Sequence, residues 1–157
     1  MEKYRKRTFK NLKEFSHDLS FPVRNRARLK DMRSISPAFR ERLMLAVTAV
    51  NGCRYCSYFH AGQALKSGIS PGEISRMLSG DVANCPEDEA VGVLYAQHWA
   101  ESDARPDSEA VVRLQKVYGA RKTEAIQAVL RMIRLGNLMG NSLDYLIYRL
   151  SFGRWGG

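Results

Sequence analysis

The sequence predicts an all-α domain of about six helices. Three observations carry this: apolar residues recur at helical spacing almost throughout, the breaks between them are helix caps and stops, and no stretch alternates as a strand would. At 157 residues, 45% apolar and 26% charged, the chain has the size and balance of one globular domain with a real core.

The first clear element is "SISPAFRERLMLAVTAV", where Ser36 is placed to cap, Pro37 takes the first helical position and Asn51-Gly52 stops the run. A second helix is expected from about Cys53 to Lys66, ending at Ser67-Gly68. Ser70 and Glu73 have capping-box spacing and start a short third helix in "SPGEISRML". "CPEDEAVGVLYAQHWAE" opens with Pro86 and a run of acids, which the positive end of a helix dipole favours. "PDSEAVVRLQKVYG" forms a fifth helix closed by Gly119. The last begins near Thr123 and runs through "AIQAVLRMIRLGNLMGNSLDYLIYRL", with Gly136 and Gly140 as places for a bend or a close approach.

The formal charge of +9 is concentrated at the start. Residues 1–33 hold 11 Lys and Arg against 4 Asp and Glu, which divides the chain into a basic segment, 1–30, and a helical domain, 31–157. The basic segment reads as a solvated leader or as a packing arm on a neighbouring subunit. With no binding motif elsewhere, nucleic acid is not expected as a partner. No apolar run approaches the roughly 20 residues of a spanning helix, and no secretion signal is visible. The expected address is cytoplasmic, where thiols stay reduced unless a disulfide is transient or catalytic.

"NGCRYCSYFH" holds two of the three cysteines and one of the three histidines. Cys53, Cys56 and His60 fall on one stripe of a helix, with the thiols in its first turn, where the dipole and free N–H groups favour a thiolate. If the Asn51-Gly52 turn folds two helices back on each other, Glu41 lies about 13 Å back and His60 about 10 Å along, at about 1.5 Å per residue. The two then come abreast, and carboxylate, imidazole and thiol form a proton relay. Glu41 could equally be an exposed helix charge beside Arg40 and Arg42.

"RERLMLAVTAVNGCRYCSYFHAGQALKSGIS" closely resembles the helical hairpin of the carboxymuconolactone decarboxylase superfamily, specifically its alkylhydroperoxidase D-like branch. There Glu, eleven residues, Cys-x-x-Cys, three residues and His occur in order; here they are Glu41, Cys53, Cys56 and His60. The decarboxylase branch lacks the cysteine pair. The resemblance implies a helical bundle whose central antiparallel hairpin carries the site. It implies that Cys56 takes oxygen from peroxide, Cys53 resolves the product to a disulfide, and Glu41 and His60 move the proton. It also implies a thiol-dependent peroxidase or disulfide reductase without a tightly bound cofactor or metal. A lipoyl-type dithiol would recharge it, a lipoyl-bearing protein or peroxiredoxin would be its partner, and the assembly would be a homo-oligomer, trimer or hexamer. One position departs: the histidine before the second cysteine in the best-known members is Tyr55 here, which removes one possible proton carrier.

Two arguments compete over the thiols. Cys53, nearest the helix start, is the more favoured by the dipole, whereas only Cys56 stands one turn from His60; the second argument and the resemblance both make Cys56 the attacking group. Two other classes remain: a zinc site of Cys53, Cys56 and His60 completed by Cys85 or His98, and a non-enzymatic helical module with a redox switch. Cys85 reads otherwise as a packing residue, His98 as a structural histidine, and His17 has no partner in sequence.

Overall fold

The computed structural model describes Tyr4 and residues 6–156; Met1, Glu2, Lys3, Arg5 and Gly157, including three charged residues of the basic segment, lie outside the described residues. The described residues are helical without strands. In chain order they form α1 (Leu12–Arg24), α2 (Arg26–Asp31), a 3-10 turn (Met32–Ser34), α3 (Pro37–Asn51), α4 (Arg54–Lys66), α5 (Pro71–Leu78), α6 (Glu87–Glu101) and α7 (Ser108–Leu150).

Caps account for most of the boundaries. Ser36 Oγ accepts from the Phe39 N–H with Pro37 behind it, Ser70 Oγ accepts from the Glu73 N–H, and Asp107 accepts from the Ala110 N–H. Gly52, at φ 72°, takes the left-handed conformation that ends α3. Gly119 (φ 74°, ψ 167°) interrupts α7, so the fifth and last helices expected from the sequence are two segments of one element. Gly136 and Gly140 produce no such break.

α3 is the central element, packed against α4, α5, α6 and α7. Its Phe39, Leu43 and Val47 meet Val93 and Trp99 of α6 and Val129 of α7 in one hydrophobic core. Gly92 of α6 is required by this packing, because a Cβ there would sit 2.6 Å from Phe39 Cζ.

Among the described residues about six expected helices appear as seven: the basic segment contributes α1 and α2, while the fifth and last expected helices run as one element. Asn11 accepts from the Glu14 N–H as N-cap of α1, and Glu14 in turn accepts from the Lys10 N–H. No α1 residue is fully buried; ion pairs hold it instead. Arg134 of α7, 6% exposed, donates to Glu14, to Asp18 and to Asp103.

Candidate functional site

The site is built on the two-residue junction between α3 and α4. Cys53 is the N-cap of α4, and its Sγ accepts from the Cys56 N–H at 3.3 Å. Cys56, His60 and Glu41 follow from helix geometry: Cys56 and His60 share a stripe of α4, and the turn at Gly52 lays that stripe beside α3. His60 Nδ1 lies 2.8 Å from Glu41 Oε2. Glu41 is 5% exposed, and its other oxygen stands 3.9 Å from the Arg40 guanidinium. A carboxylate only accepts, so Nδ1 is the nitrogen that donates to Glu41, and Nε2 is the one left for other partners.

Both thiols are free, but they differ in access. Cys53 is 0% exposed, whereas Cys56 opens with His60 onto a hollow of about 410 Å³ walled by Met44, Phe59, Met132 and Ile133. Their electrostatics differ in the opposite sense. The Cys56 thiol, donating to Cys53, lowers the Cys53 pKa to about 6; burial opposes this, and the Cys56 and Tyr55 N–H groups assist it. The Cys56 pKa is raised, first because its proton is held by Cys53 and then by burial, against a hydrogen bond from Asn137 that favours its ionised form. Charge therefore rests on the inner sulfur while access belongs to the outer one.

The floor of the site is a buried polar seam between α3 and α7 that the sequence did not reveal. Asn137 donates to Thr48 Oγ1 at 3.1 Å and accepts from Asn51 Nδ2 at 3.1 Å, while Asn141 donates to the Asn51 carbonyl at 2.7 Å. Its sequence signal is the repeated Gly-Asn of "GNLMGN", which puts Asn137 and Asn141 one turn apart on one face of α7. Gly140 stands against the thiols. A Cβ there would lie 2.9 Å from Cys53 Sγ and 4.0 Å from Cys56 Sγ, whereas one on Gly136 would meet nothing within 4 Å. Gly140→Ala is accordingly expected to cost about 1–3 kcal/mol in a denaturant melt and to slow disulfide formation, with Gly136→Ala as the harmless control.

The other sequence candidates lie elsewhere. Cys85 is half-buried beside the Arg42, Glu73 and Glu89 cluster, and burial raises its pKa. His98 pairs with Asp107 at 2.8 Å, and His17 with Asp18 at 3.2 Å. Among the described residues no group of three or more His, Cys, Asp or Glu side chains is arranged to hold a metal ion, so neither Cys85 nor His98 joins Cys53, Cys56 and His60. Tyr55 lines the hollow, and its hydroxyl donates to Asp144 Oδ1 at 2.8 Å. No described helix is long and apolar enough to cross a membrane.

No curated protein and no solved structure matches the chain. Residues 21–94 match the family model described as the carboxymuconolactone decarboxylase family, a span that begins in α1 and contains α3, α4, α5 and the Glu41, Cys53, Cys56 and His60 positions. Through this segment, and with its all-helical fold, the chain is similar to the carboxymuconolactone decarboxylase family.

Proposed function

We propose that this chain is a thiol-dependent oxidoreductase of the alkylhydroperoxidase D-like kind, which reduces a hydroperoxide or a disulfide through Cys53 and Cys56. The observation that carries this reading is the Glu41–His60 contact at the hollow onto which Cys56 opens, an acid–base pair beside an accessible thiol with a second thiol next to it.

The Cys56 thiol passes its proton to His60 Nε2 and attacks the outer peroxide oxygen. The O–O bond breaks, the leaving alkoxide takes a proton from His60, and Cys56 becomes a sulfenic acid. The Cys53 thiolate then displaces hydroxide from Cys56, which takes a proton from solvent and leaves as water, and the disulfide is the oxidised product of the two electrons passed to the peroxide. An external dithiol of lipoyl type returns them by exchange. Glu41 keeps the imidazole in the tautomer that the first step needs.

Peroxide should therefore lower the free-thiol count from three cysteines per chain to one, leaving Cys85, while a metal assay on the same sample reads well below one zinc per chain. Three thiols surviving excess peroxide would defeat the reading. The thiolate ultraviolet absorbance gives a second check: it should titrate with a midpoint of about 6, and Cys56→Ala should move that midpoint upward by removing its largest cause. Because the folded value lies below the ordinary thiol range, the reduced protein gains stability as pH rises from about 6 toward 9.0 and loses that gain as pH falls.

Assembly as a homo-oligomer, a trimer or a multiple of it, is part of the same reading. Tyr58 and Phe59 on α4 are 87% and 58% exposed, and Leu143, Leu146 and Leu150 at the end of α7 are 53%, 54% and 72% exposed. Light scattering should return a mass well above 17.8 kDa at micromolar concentration, and a monomer would count against it.

A further inference from the structure

The segment ahead of α1 runs across the back of the thiol pair. Tyr4 Oη donates to the Asn141 carbonyl at 2.7 Å, the Arg7 N–H donates to the Asn51 carbonyl at 3.4 Å, and Lys6 Nζ pairs with Asp144 Oδ2 at 3.0 Å. The stem of Lys6 rests on the junction itself, since a Cβ on Gly52 would lie 3.6 Å from Lys6 Cγ. Asp144 is the unusual group here. Its side chain is 0% exposed, yet Lys6, Arg54 at 2.9 Å and the Tyr55 hydroxyl at 2.8 Å all converge on it.

A lone carboxylate buried beside a thiolate is unfavourable twice over, through its own desolvation and through like-charge repulsion. Burial pushes the Asp144 pKa up, but the Lys6 and Tyr55 hydrogen bonds and the Lys6 and Arg54 charges outweigh it and hold it below the usual range. The charged or titratable groups facing Cys53 are Arg54, Tyr55 and Cys56 from α4, Asp144 from α7 and Tyr4 from the leading segment, with Lys6 acting through Asp144.

We propose that Lys6 is a positioning residue of the redox centre: by neutralising buried Asp144 it lets that carboxylate anchor Arg54 and Tyr55 at the start of α4 without repelling the charge on Cys53. The basic leading segment is then a built part of the thiol site, with the cation supplied by residues upstream of the matched family segment. This inference rests on the proposed thiol chemistry, and it makes Asp144 serve as an anchor while its field works against the thiolate.

Three variants of the full chain separate this from a merely structural strap, with the thiolate absorbance titration and the dithiol–disulfide equilibrium against glutathione as readouts. Lys6→Met should raise the thiolate midpoint by about half a pH unit to one pH unit, because Asp144 then keeps only the half-exposed Arg54 as counter-charge. The glutathione equilibrium should move about three- to tenfold toward the disulfide. Asp144→Asn should move the midpoint the opposite way, and Lys6→Arg should restore the wild-type value. Loosened packing alone would push both single variants in one direction, and that result, or any other pattern, overturns the proposal. If wild type forms the disulfide with peroxide while all variants titrate alike, the proposal fails and the redox reading stands. If wild type forms no disulfide, both fail.

Discussion

Cys56→Ser protein is expected to consume peroxide at least about 100-fold more slowly than wild type and to leave Cys53 unlabelled by a dimedone-type trap, because the remaining sulfur has no path to the hollow. Cys53→Ser should instead accumulate a trappable sulfenic acid on Cys56. The pKa lowering favours Cys53 as the resting thiolate, but nucleophilic attack needs contact with peroxide, and Cys53 is fully buried behind Cys56. The inner charge is better suited to the second step, where it meets a sulfenic acid already delivered to it. His60→Ala and Glu41→Ala should each slow the first step by roughly 10- to 1000-fold, and the double variant should cost little more than the worse single one, since the 2.8 Å contact makes them one device. Mass spectrometry after trapping decides the assignment: label on Cys53 in Cys56→Ser protein, with none on Cys56 in the converse variant, would reverse the two roles.

Arg134→Met should be the most destabilising single change outside the hydrophobic core, by roughly 3 to 5 kcal/mol, because it leaves Glu14, Asp18 and Asp103 facing one another with their shared cation gone. Lys10 and Arg7, which also pair with Asp103, and His17 beside Asp18 soften this only in part. The same cluster sets an acid limit. Burial raises the Asp103 pKa, but hydrogen bonds from Lys10 and Arg134 prevail and bring it to about 2; Glu14 is lowered too, against burial, by the Lys10 N–H and Arg134. Both carboxyls therefore contribute stability that is complete above the ordinary carboxyl range; the Asp103 share is lost as pH falls from 3.8 toward 2, and the Glu14 share as pH falls below 4.5. Denaturant midpoints at neutral pH and at pH near 3 check both statements: wild type should weaken on acidification, while Arg134→Met should start lower and change less. A loss under about 1 kcal/mol in Arg134→Met at neutral pH would mean that α1 is held by something other than this cluster.

Legibility followed the range of each interaction. Ser36, Gly52 and Ser70 act on backbone groups within four residues of themselves, so their helix ends could be read from spacing alone. The Glu41–His60 contact was also within reach, because it spans one turn between two helices of known rise. α1 escaped notice because it buries no residue fully and its ties to Arg134 cross more than a hundred positions, although the Asn11 to Glu14 spacing was a usable sign. The asparagine floor was hidden for a related reason: Asn137 meets Thr48 and Asn51 across 89 and 86 residues, and a buried amide looks like any other polar residue until its partners are known. Which thiol faces outward depends on how α7 covers α4 at Gly140, and no local pattern encodes that.

The junction of Gly52 and Cys53 is only two residues long, and Cys53 is already spent as a helix cap. That makes α4 a pointer whose angular setting is fixed by chain length. One residue inserted at this point would turn α4 by about 100° about its axis, swinging Cys56 and His60 off the face that meets Glu41, while the same insertion in the loop ahead of α6 would leave the pointer where it is. Drift in this lineage is thus free to lengthen its later loops, but at this hinge the count of residues is as much a part of the site as their identity.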